Sequence, residues 1–277
     1  MNPDEYCSEK ARAAGSSFTY SFRLLPPARR RAITALYAFC REVDDVVDEC
    51  LDPQVAATKL AWWRHEVDQL FAGKAQHPVT RALAPAIEEF SLPQEHFAEI
   101  LDGMAMDLGS VRYPDFKSLS LYCYRVASVV GLLSAEIFGV SDRQTLRYAH
   151  DLGIALQLTN IIRDVGDDAR RGRIYLPLDE MARHAVTPAD ILNRRYSEGF
   201  AALMGVQADR ALDYRQRALA ALPAADRKAQ RPGLVMAEMY RCLLEEIRLS
   251  GYQVLHQRIS LPPARKAWIA MRTWVAA

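Results

Sequence analysis

The sequence predicts a single all-α domain, with its helices arranged around a central cavity. Three observations support this prediction. Apolar residues recur at helical three- and four-residue spacing, no segment alternates as a strand does, and no long linker divides the 277 residues. A chain of this length can bury a deep core and still enclose a cavity. We therefore expect one domain over residues 1–277.

The predicted helices can be placed in order along the chain. Pro27 marks the start of a helix that should run to about Cys50, because proline is favoured in the first helical turn. Further helices are expected over 54–72, 78–90, 93–109, 117–138, 142–165, 197–221, 233–257 and 263–274. Breaks between helices are marked by Ser91-Leu92-Pro93, Gly139-Val140-Ser141 and Leu222-Pro223.

Two of these helices should be central. The stretches from Tyr122 to Phe138 and from Leu152 to Ile162 are apolar on nearly every side, which is typical of buried helices. The second helix also carries polar residues at three- or four-residue steps, on one face: Gly153, Gln157, Asn160, Asp164 and Asp168. A buried carboxylate without a partner is very costly, so this face needs compensating ligands.

Two aspartate pairs carry the strongest functional signal. Asp44 and Asp48 stand four residues apart, as do Asp164 and Asp168, so the members of each pair project from one face of a helix. Two such helices facing one another would line a pocket with carboxylates. Mg²⁺ prefers oxygen ligands and usually keeps waters and substrate phosphates in its remaining positions. The pattern predicts a magnesium site for a phosphorylated substrate.

A structural explanation of the same aspartates stays open at this point. The first pair alone is typical of a solvated acidic face, and the second of a helix end that frays into a charged loop. Phe39, Val43 and Val47 leave little of the first helix for water, however, and Gln157 and Asn160 lie within an apolar run of the second. These neighbours favour the metal site.

Arginines close to both pairs are candidates to bind diphosphate oxygens. Arg41 and Arg163 belong to the aspartate helices, and a basic cluster follows at Arg170-Arg171-Gly172-Arg173. The guanidinium fork matches phosphate geometry, although each arginine is also typical of an ordinary helix surface. Glycines bracket the cluster, which predicts that the segment from Gly166 to Ile174 is a mobile flap over the site.

Composition argues against several other classes of protein. The formal net charge of +1 gives no electrostatic reason to expect nucleic acid as a partner. The five cysteines contain no Cys-x-x-Cys pair and are odd in number, so reduced thiols in a cytoplasmic enzyme are expected. No glycine-rich dinucleotide fingerprint follows a strand, and NADPH is not expected as a cofactor.

The chain also predicts a soluble protein. Its first residues, Met1 to Glu5, lack the basic and apolar regions of a signal peptide. The longest uncharged runs, Val126 to Ala135 and Leu152 to Ile162, are shorter than the about 20 residues that a membrane-spanning helix needs.

Longer motifs around these residues resemble the squalene/phytoene synthase family. Three segments carry the resemblance: Cys40-Arg41-Glu42-Val43-Asp44-Asp45, the run Asn160–Asp168, and Gly172-Arg173-Ile174-Tyr175-Leu176-Pro177. The segment Tyr122–Gly131 is similar to the family's tyrosine-led central helix, although Arg125 and Ser128 stand where many members have small residues. Ser16-Ser17-Phe18 with Leu24-Leu25-Pro26 resembles the family's N-terminal element. The motifs follow the family's order over nearly the whole chain.

The resemblance implies the class I isoprenoid synthase fold and head-to-head condensation of two prenyl diphosphates. It implies that Asp44, Asp48, Asp164 and Asp168 bind Mg²⁺ with help from Asn160, with Mn²⁺ as an expected substitute. It implies that Tyr122 stabilises positive charge with its ring or helps to move a proton. The substrate contacts that it implies are Ser16, Ser17, Phe18, Tyr37, Arg41, Val126, Gln157, Asn160, Arg163, Tyr240 and Arg258.

The expected reaction joins two farnesyl diphosphates to presqualene diphosphate in squalene and hopanoid biosynthesis, because the chain is most similar to the bacterial members that do so. Two alternatives stay open: a phytoene or dehydrosqualene synthase of carotenoid biosynthesis, and a non-catalytic helical protein that binds metal or prenyl lipid. The expected protein is a cytoplasmic monomer or weak dimer. Its expected partners are farnesyl diphosphate, downstream enzymes of the squalene pathway and, for product release, the inner face of a membrane.

Overall fold

The structure is a computed structural model that describes residues 2–15, 18–22, 24–50, 52–109 and 111–276. Within these ranges it contains fourteen α-helices and no β-strand, and an isolated bridge pairs Tyr113 with Pro177. The predicted all-α fold class is therefore confirmed.

The helices are α1 (Pro3–Ala13), α2 (Phe18–Phe22), α3 (Pro27–Glu49), α4 (Pro53–Phe71), α5 (Pro78–Phe90), α6 (Gln94–Ala105), α7 (Phe116–Cys123), α8 (Val129–Phe138), α9 (Gln144–Arg170), α10 (Leu178–Arg183), α11 (Pro188–Leu192), α12 (Glu198–Ala221), α13 (Arg231–Leu249) and α14 (Pro263–Ala276). A 3₁₀ turn (Met106–Leu108) follows α6, and a π-helical turn (Tyr124–Ser128) joins α7 to α8.

The predicted helices are present, but four additional helices lie outside the prediction and two C-terminal ends differ by five residues or more. The additional helices are α1, α2, α10 and α11; α1 starts at a capping box, in which Asn2 and Glu5 satisfy each other's backbone N–H groups. Helix α9 continues to Arg170 instead of ending near residue 165. Helix α13 ends at Leu249 instead of residue 257, because the chain turns at Gly251 with φ of 66°.

The π-helical turn interrupts the predicted 117–138 helix where α9 packs closely against it. A Cβ atom at Gly153 of α9 would lie 2.5 Å from the Cα atom of Ser128, so only glycine fits there. The Ser128 hydroxyl donates to the carbonyl oxygen of His150 at 2.8 Å. Such turns are frequent at functional sites, and this one presents Val126 to the cavity described below.

The core consists of two main clusters that meet at the centre of the molecule. One lies among α3–α6 and α8, the other among α7, α9, α12 and α13, and the side chains of Val126 and Trp274 contact both. Leu133 of α8 and Leu158 of α9 are almost completely buried. Both apolar helices are therefore central, as predicted.

The combined helical stretch Phe116–Phe138 is longer than either of the uncharged runs found in the sequence. By length and composition it is the one such stretch among the described helices that could cross a membrane, and 44% of its apolar window is buried in the protein. It packs against α6 and α9.

The N-terminal end of α9 is held by a carboxylate from a distant loop. Asp226, which follows α12 and is only 3% exposed, accepts hydrogen bonds from the backbone N–H groups of Ser141 and Asp142 and from the Thr145 hydroxyl. Burial raises the pKa of Asp226, but these hydrogen bonds outweigh it and lower the pKa to about 2. The ionised carboxylate therefore stabilises the fold.

We expect Asp226→Asn to lower the free energy of unfolding by about 1.5–3 kcal/mol at pH 7, the range for hydrogen bonds to a charged group. Because the folded pKa lies below the unfolded value of about 3.9, this contribution is complete above that value and is lost as the pH falls towards 2. Urea unfolding at pH 7 and pH 3 measures it, and the difference from the unsubstituted protein should shrink at pH 3. Asp213→Asn, at an exposed position, is the control. Equal stability at pH 7 would contradict the assignment.

Candidate active site

An apolar cavity lies between α3, α8, α9 and α13. Tyr37 and Cys40 of α3, Val126 of the π-helical turn, and Gln157 and Asn160 of α9 all line it. Its empty volume is about 1030 Å³, including the space at its mouth. The helices therefore surround a cavity, as predicted, and the polar face of α9 borders it.

A second, polar pocket adjoins the mouth of the cavity. The two spaces share Tyr37 and Asn160. Four cationic side chains and a tyrosine line the polar pocket: Arg41, Arg163, Tyr240, Arg258 and Lys266. The structure therefore brings together the predicted phosphate ligands from α3, α9, α13 and the loop before α14, and it adds Lys266, which the sequence analysis did not single out.

The first aspartate pair lies on α3 among arginines. Arg41 donates hydrogen bonds to Asp44 and to its neighbour Asp45. Arg171 and Arg173, from the turn after α9, each form an ion pair with Asp48 at 2.7 Å. Arginines from the end of one aspartate helix thus reach the other helix.

These partners give the two carboxylates opposite electrostatic character. Burial and the Asp48 charge raise the pKa of Asp44 to about 6, against the opposing attraction of Arg41. Burial also raises the pKa of Asp48, but hydrogen bonds from Arg173 and Arg171 outweigh it and hold that pKa below its usual range.

The second pair, on α9, repeats this asymmetry. Arg163 donates two hydrogen bonds to Asp164, and Arg258 donates another at 2.8 Å. Burial raises the pKa of Asp164, but these hydrogen bonds outweigh it and hold that pKa below its usual range. For Asp168, burial and the Asp164 charge outweigh the attraction of Arg173 and raise the pKa to about 7.

Asp107, in the 3₁₀ turn after α6, interacts electrostatically with both aspartate pairs. The sequence analysis did not identify it. It accepts hydrogen bonds from the hydroxyls of Tyr122, at 2.9 Å, and Tyr175, at 2.8 Å, whose rings stack with centroids 5.1 Å apart. Its charge contributes to the raised pKa values of both Asp44 and Asp168. Burial raises the pKa of Asp107 itself to about 6. A single aspartate without a helical-spacing partner carries no signal in sequence.

Several side chains of the site could hold a divalent cation. Three carboxyls with raised pKa values (Asp44, Asp107 and Asp168) concentrate negative charge that a cation would neutralise. The side-chain oxygen of Asn160 is buried and has no hydrogen-bond partner in the described part of the chain. No group of three or more His, Cys, Asp or Glu in that part is arranged to hold an ion alone. A cation here would therefore need further ligands, such as the waters and substrate phosphates that Mg²⁺ usually keeps.

The remaining predicted residues fall into three groups. Tyr122 borders Asp107 rather than the cavity, and burial together with the Asp107 charge raises its pKa well above the usual range. Arg125 turns to α6, where it pairs with Glu99 at 2.9 Å. Ser16 and Ser17 lie outside the described residues, as does the side chain of Phe18.

The predicted flap from Gly166 to Ile174 is wrong in its boundaries. Gly166 lies inside α9, and a Cβ atom there would be 2.2 Å from the carbonyl oxygen of Leu255, so this glycine serves close packing and not a hinge. Ile174 is buried, and its N–H donates to the carbonyl oxygen of Val111 at 3.2 Å. The turn itself comprises Arg171, Gly172 and Arg173.

The family model of squalene/phytoene synthase matches residues 11–265 of this chain. The chain belongs to the squalene/phytoene synthase family. Its members are prenyl transferases, so the enzyme class implied by the motifs is confirmed at this level. A phytoene synthase from Arthrospira platensis is 37% identical over 275 residues, which cover 95% of this chain and 89% of that protein.

Solved structures confirm the isoprenoid synthase fold. A dehydrosqualene synthase in complex with a ligand superposes with a TM-score of 0.88 at 27% identity, over 99% of this chain and 96% of that one. The squalene synthase HpnC from Alicyclobacillus acidocaldarius superposes with a TM-score of 0.81 at 30% identity, over 90% and 94% of the two chains.

Proposed function

We propose that this protein is a Mg²⁺-dependent prenyl transferase that condenses two farnesyl diphosphates head to head to presqualene diphosphate. One observation carries the proposal: an apolar cavity opens, at Tyr37 and Asn160, into a basic pocket beside two aspartate pairs. A long apolar chain that ends in a diphosphate is the ligand that matches both spaces.

The basic pocket suits a diphosphate because its positive charges are only partly neutralised. Burial and the positive charges of Arg163 and Arg258 lower the pKa of Lys266, so an anion there would relieve mutual repulsion. Arg163 and Arg258 now bind Asp164. We infer that diphosphate binding exchanges these ion pairs for charge-assisted hydrogen bonds to phosphate oxygens.

Five residues would hold the metal: Asp44, Asp48, Asp164, Asp168 and Asn160. Bound Mg²⁺ supplies Lewis acidity, which neutralises the charge of a departing diphosphate. The arginines of the basic pocket add the same kind of stabilisation through hydrogen bonds to the leaving group.

The proposed reaction needs no protein nucleophile. The C1–O bond of one farnesyl diphosphate breaks, and its electron pair leaves with the diphosphate. The double bond of the second molecule attacks the resulting allylic cation, and loss of a proton closes a cyclopropane. The cavity orients both chains and excludes water.

Two side chains near the cavity are held in protonated forms that do not react with the cation. Burial raises the pKa of Cys40 to about 12, which keeps this cavity-lining side chain a neutral thiol. The raised pKa of Tyr122 keeps its phenol protonated. The released diphosphate, which carries negative charge, is the proton acceptor that we propose.

Phytoene synthase is the second candidate, because relatives that are 35–40% identical to this chain, including the one from Arthrospira platensis, are named phytoene synthases. It would use the C20 geranylgeranyl diphosphate, and the length of the cavity would distinguish the two substrates. The end of the cavity away from Asn160 is lined by Phe138, Tyr148 and Gln230.

Product analysis by mass spectrometry tests the proposal. Incubation with the C15 and the C20 diphosphate, each with and without NADPH, should give presqualene diphosphate from C15, unchanged by NADPH and absent when EDTA removes Mg²⁺. A dominant C40 product from the C20 substrate would establish the second candidate. Efficient NADPH-dependent squalene formation would contradict the proposed end product. Binding of farnesyl diphosphate without any turnover would indicate a non-catalytic protein.

A further inference from the structure

The outer face of α14 carries an exposed apolar stripe. Trp268, Met271 and Val275 are 52%, 61% and 78% exposed. Together with Ala264 they recur at steps of four, three and four residues, so they form one line along the helix. Ile269 and Ala270, on the other side, are buried in the core. Helix α14 is therefore apolar on its inner side and along its outer side.

Basic side chains flank this stripe. Arg265 and Arg272 are exposed; Arg265 forms an ion pair with Glu246 of α13, and the guanidinium of Arg272 lies over the Trp268 ring at 5.1 Å. The helix contains three basic residues and no acidic one between Pro263 and Ala276. A tryptophan-containing apolar stripe beside arginines is typical of helices that lie in the interface of an anionic membrane.

We propose that α14 docks the protein on an anionic lipid surface, with Trp268, Met271 and Val275 inserted at the headgroup boundary. A second copy of the chain fits this face less well. Two such helices would bring their arginines together, and a stable dimer buries roughly 800 Å² on each partner, more than three side chains can supply.

The same helix also borders the candidate active site. Lys266, two residues before Trp268 and on the inner side of α14, lines the basic pocket at the mouth of the cavity. Docking would hold this mouth about one helix diameter, or ~10 Å, from the lipid. If the proposed function holds, a product with two long apolar chains would leave close to the membrane.

Sedimentation with vesicles tests the docking surface without any prenyl substrate, so its result is independent of the proposed reaction. The full chain should bind vesicles of equimolar phosphatidylcholine and phosphatidylglycerol and bind phosphatidylcholine alone more weakly. Trp268→Ser combined with Met271→Ser should lower binding at least about tenfold. Arg272→Gln should lower binding to the anionic vesicles about fivefold, the effect of one basic residue near an anionic surface.

Val55→Ser combined with Leu192→Ser is the matched control, because these side chains are 46% and 38% exposed on other helices. It should bind vesicles like the unsubstituted protein, and all variants should retain its melting temperature. Failure of the unsubstituted chain to bind anionic vesicles, or unchanged binding by the Trp268 and Met271 variant, would overturn the proposal. So would a dimer in sedimentation velocity that this variant dissociates, because the stripe would then join two copies.

Discussion

Asp168→Asn should reduce turnover by about a hundredfold to a thousandfold while leaving the protein as stable as before or more stable. Two carboxylates, Asp164 and Asp107, repel the Asp168 charge, and together with burial they raise its pKa to about 7. Because the folded pKa lies above the unfolded value of about 3.9, the charged form opposes folding. The neutral amide removes this repulsion but also removes a charged ligand from the proposed metal site.

The pH dependence of stability separates this explanation from a general loss of structure. In the unsubstituted protein, Asp168 should cost stability progressively as the pH rises from about 4 to 7, and the variant should lack this loss. Thermal melting at pH 5 and pH 8 in EDTA should therefore show the larger gain for Asp168→Asn at pH 8. Turnover is measured separately at saturating Mg²⁺.

Asp48→Asn and Asp213→Asn complete the comparison. The first should lose turnover to a similar extent but melt at a lower temperature, because Arg171 and Arg173 lose their charged partner. The second removes an exposed carboxylate of α12 and should keep full turnover. Near-native turnover of Asp168→Asn would show that this carboxylate is not a metal ligand.

Gly166→Ala should be strongly destabilising, although alanine is normally favoured over glycine within a helix by up to about 1 kcal/mol. The added Cβ would lie 2.2 Å from the carbonyl oxygen of Leu255 and 2.6 Å from that of Val254. Backbone atoms cannot rotate aside as a side chain can, so α9 and this loop must separate. Overpacking of this kind costs about 1–3 kcal/mol, and we expect the upper end of that range.

The same substitution should lower turnover at least about tenfold, because the displaced loop carries Arg258, the partner of Asp164. Gly205→Ala is the matched control: Gly205 also lies inside a helix, and its added Cβ would meet only the Tyr252 hydroxyl at an ordinary 3.7 Å. Urea unfolding and turnover of both variants test the prediction. If Gly166→Ala proves as stable as Gly205→Ala, the contact with Leu255 is not a constraint on the fold.

The sequence by itself determined the fold class, most helices and both aspartate pairs. Each of these depends on residues within a few positions of one another. The pairing of Asp44 with Asp48 on one face, for example, follows directly from helical geometry. Arg41 and Arg163 could likewise be connected with their aspartates, because each lies within one turn of its partner.

Only the tertiary structure decided which distant residues complete the site. Asp107 and Lys266 reach it from segments that show no pattern pointing to it, and Arg173 reaches Asp48 across the space between two helices. Whether Gly166 is a hinge or a packing contact depended on the backbone of Leu255. Helical periodicity records only which face of a helix is buried. The identity of its neighbour follows from how the whole set of helices packs, which no local spacing encodes.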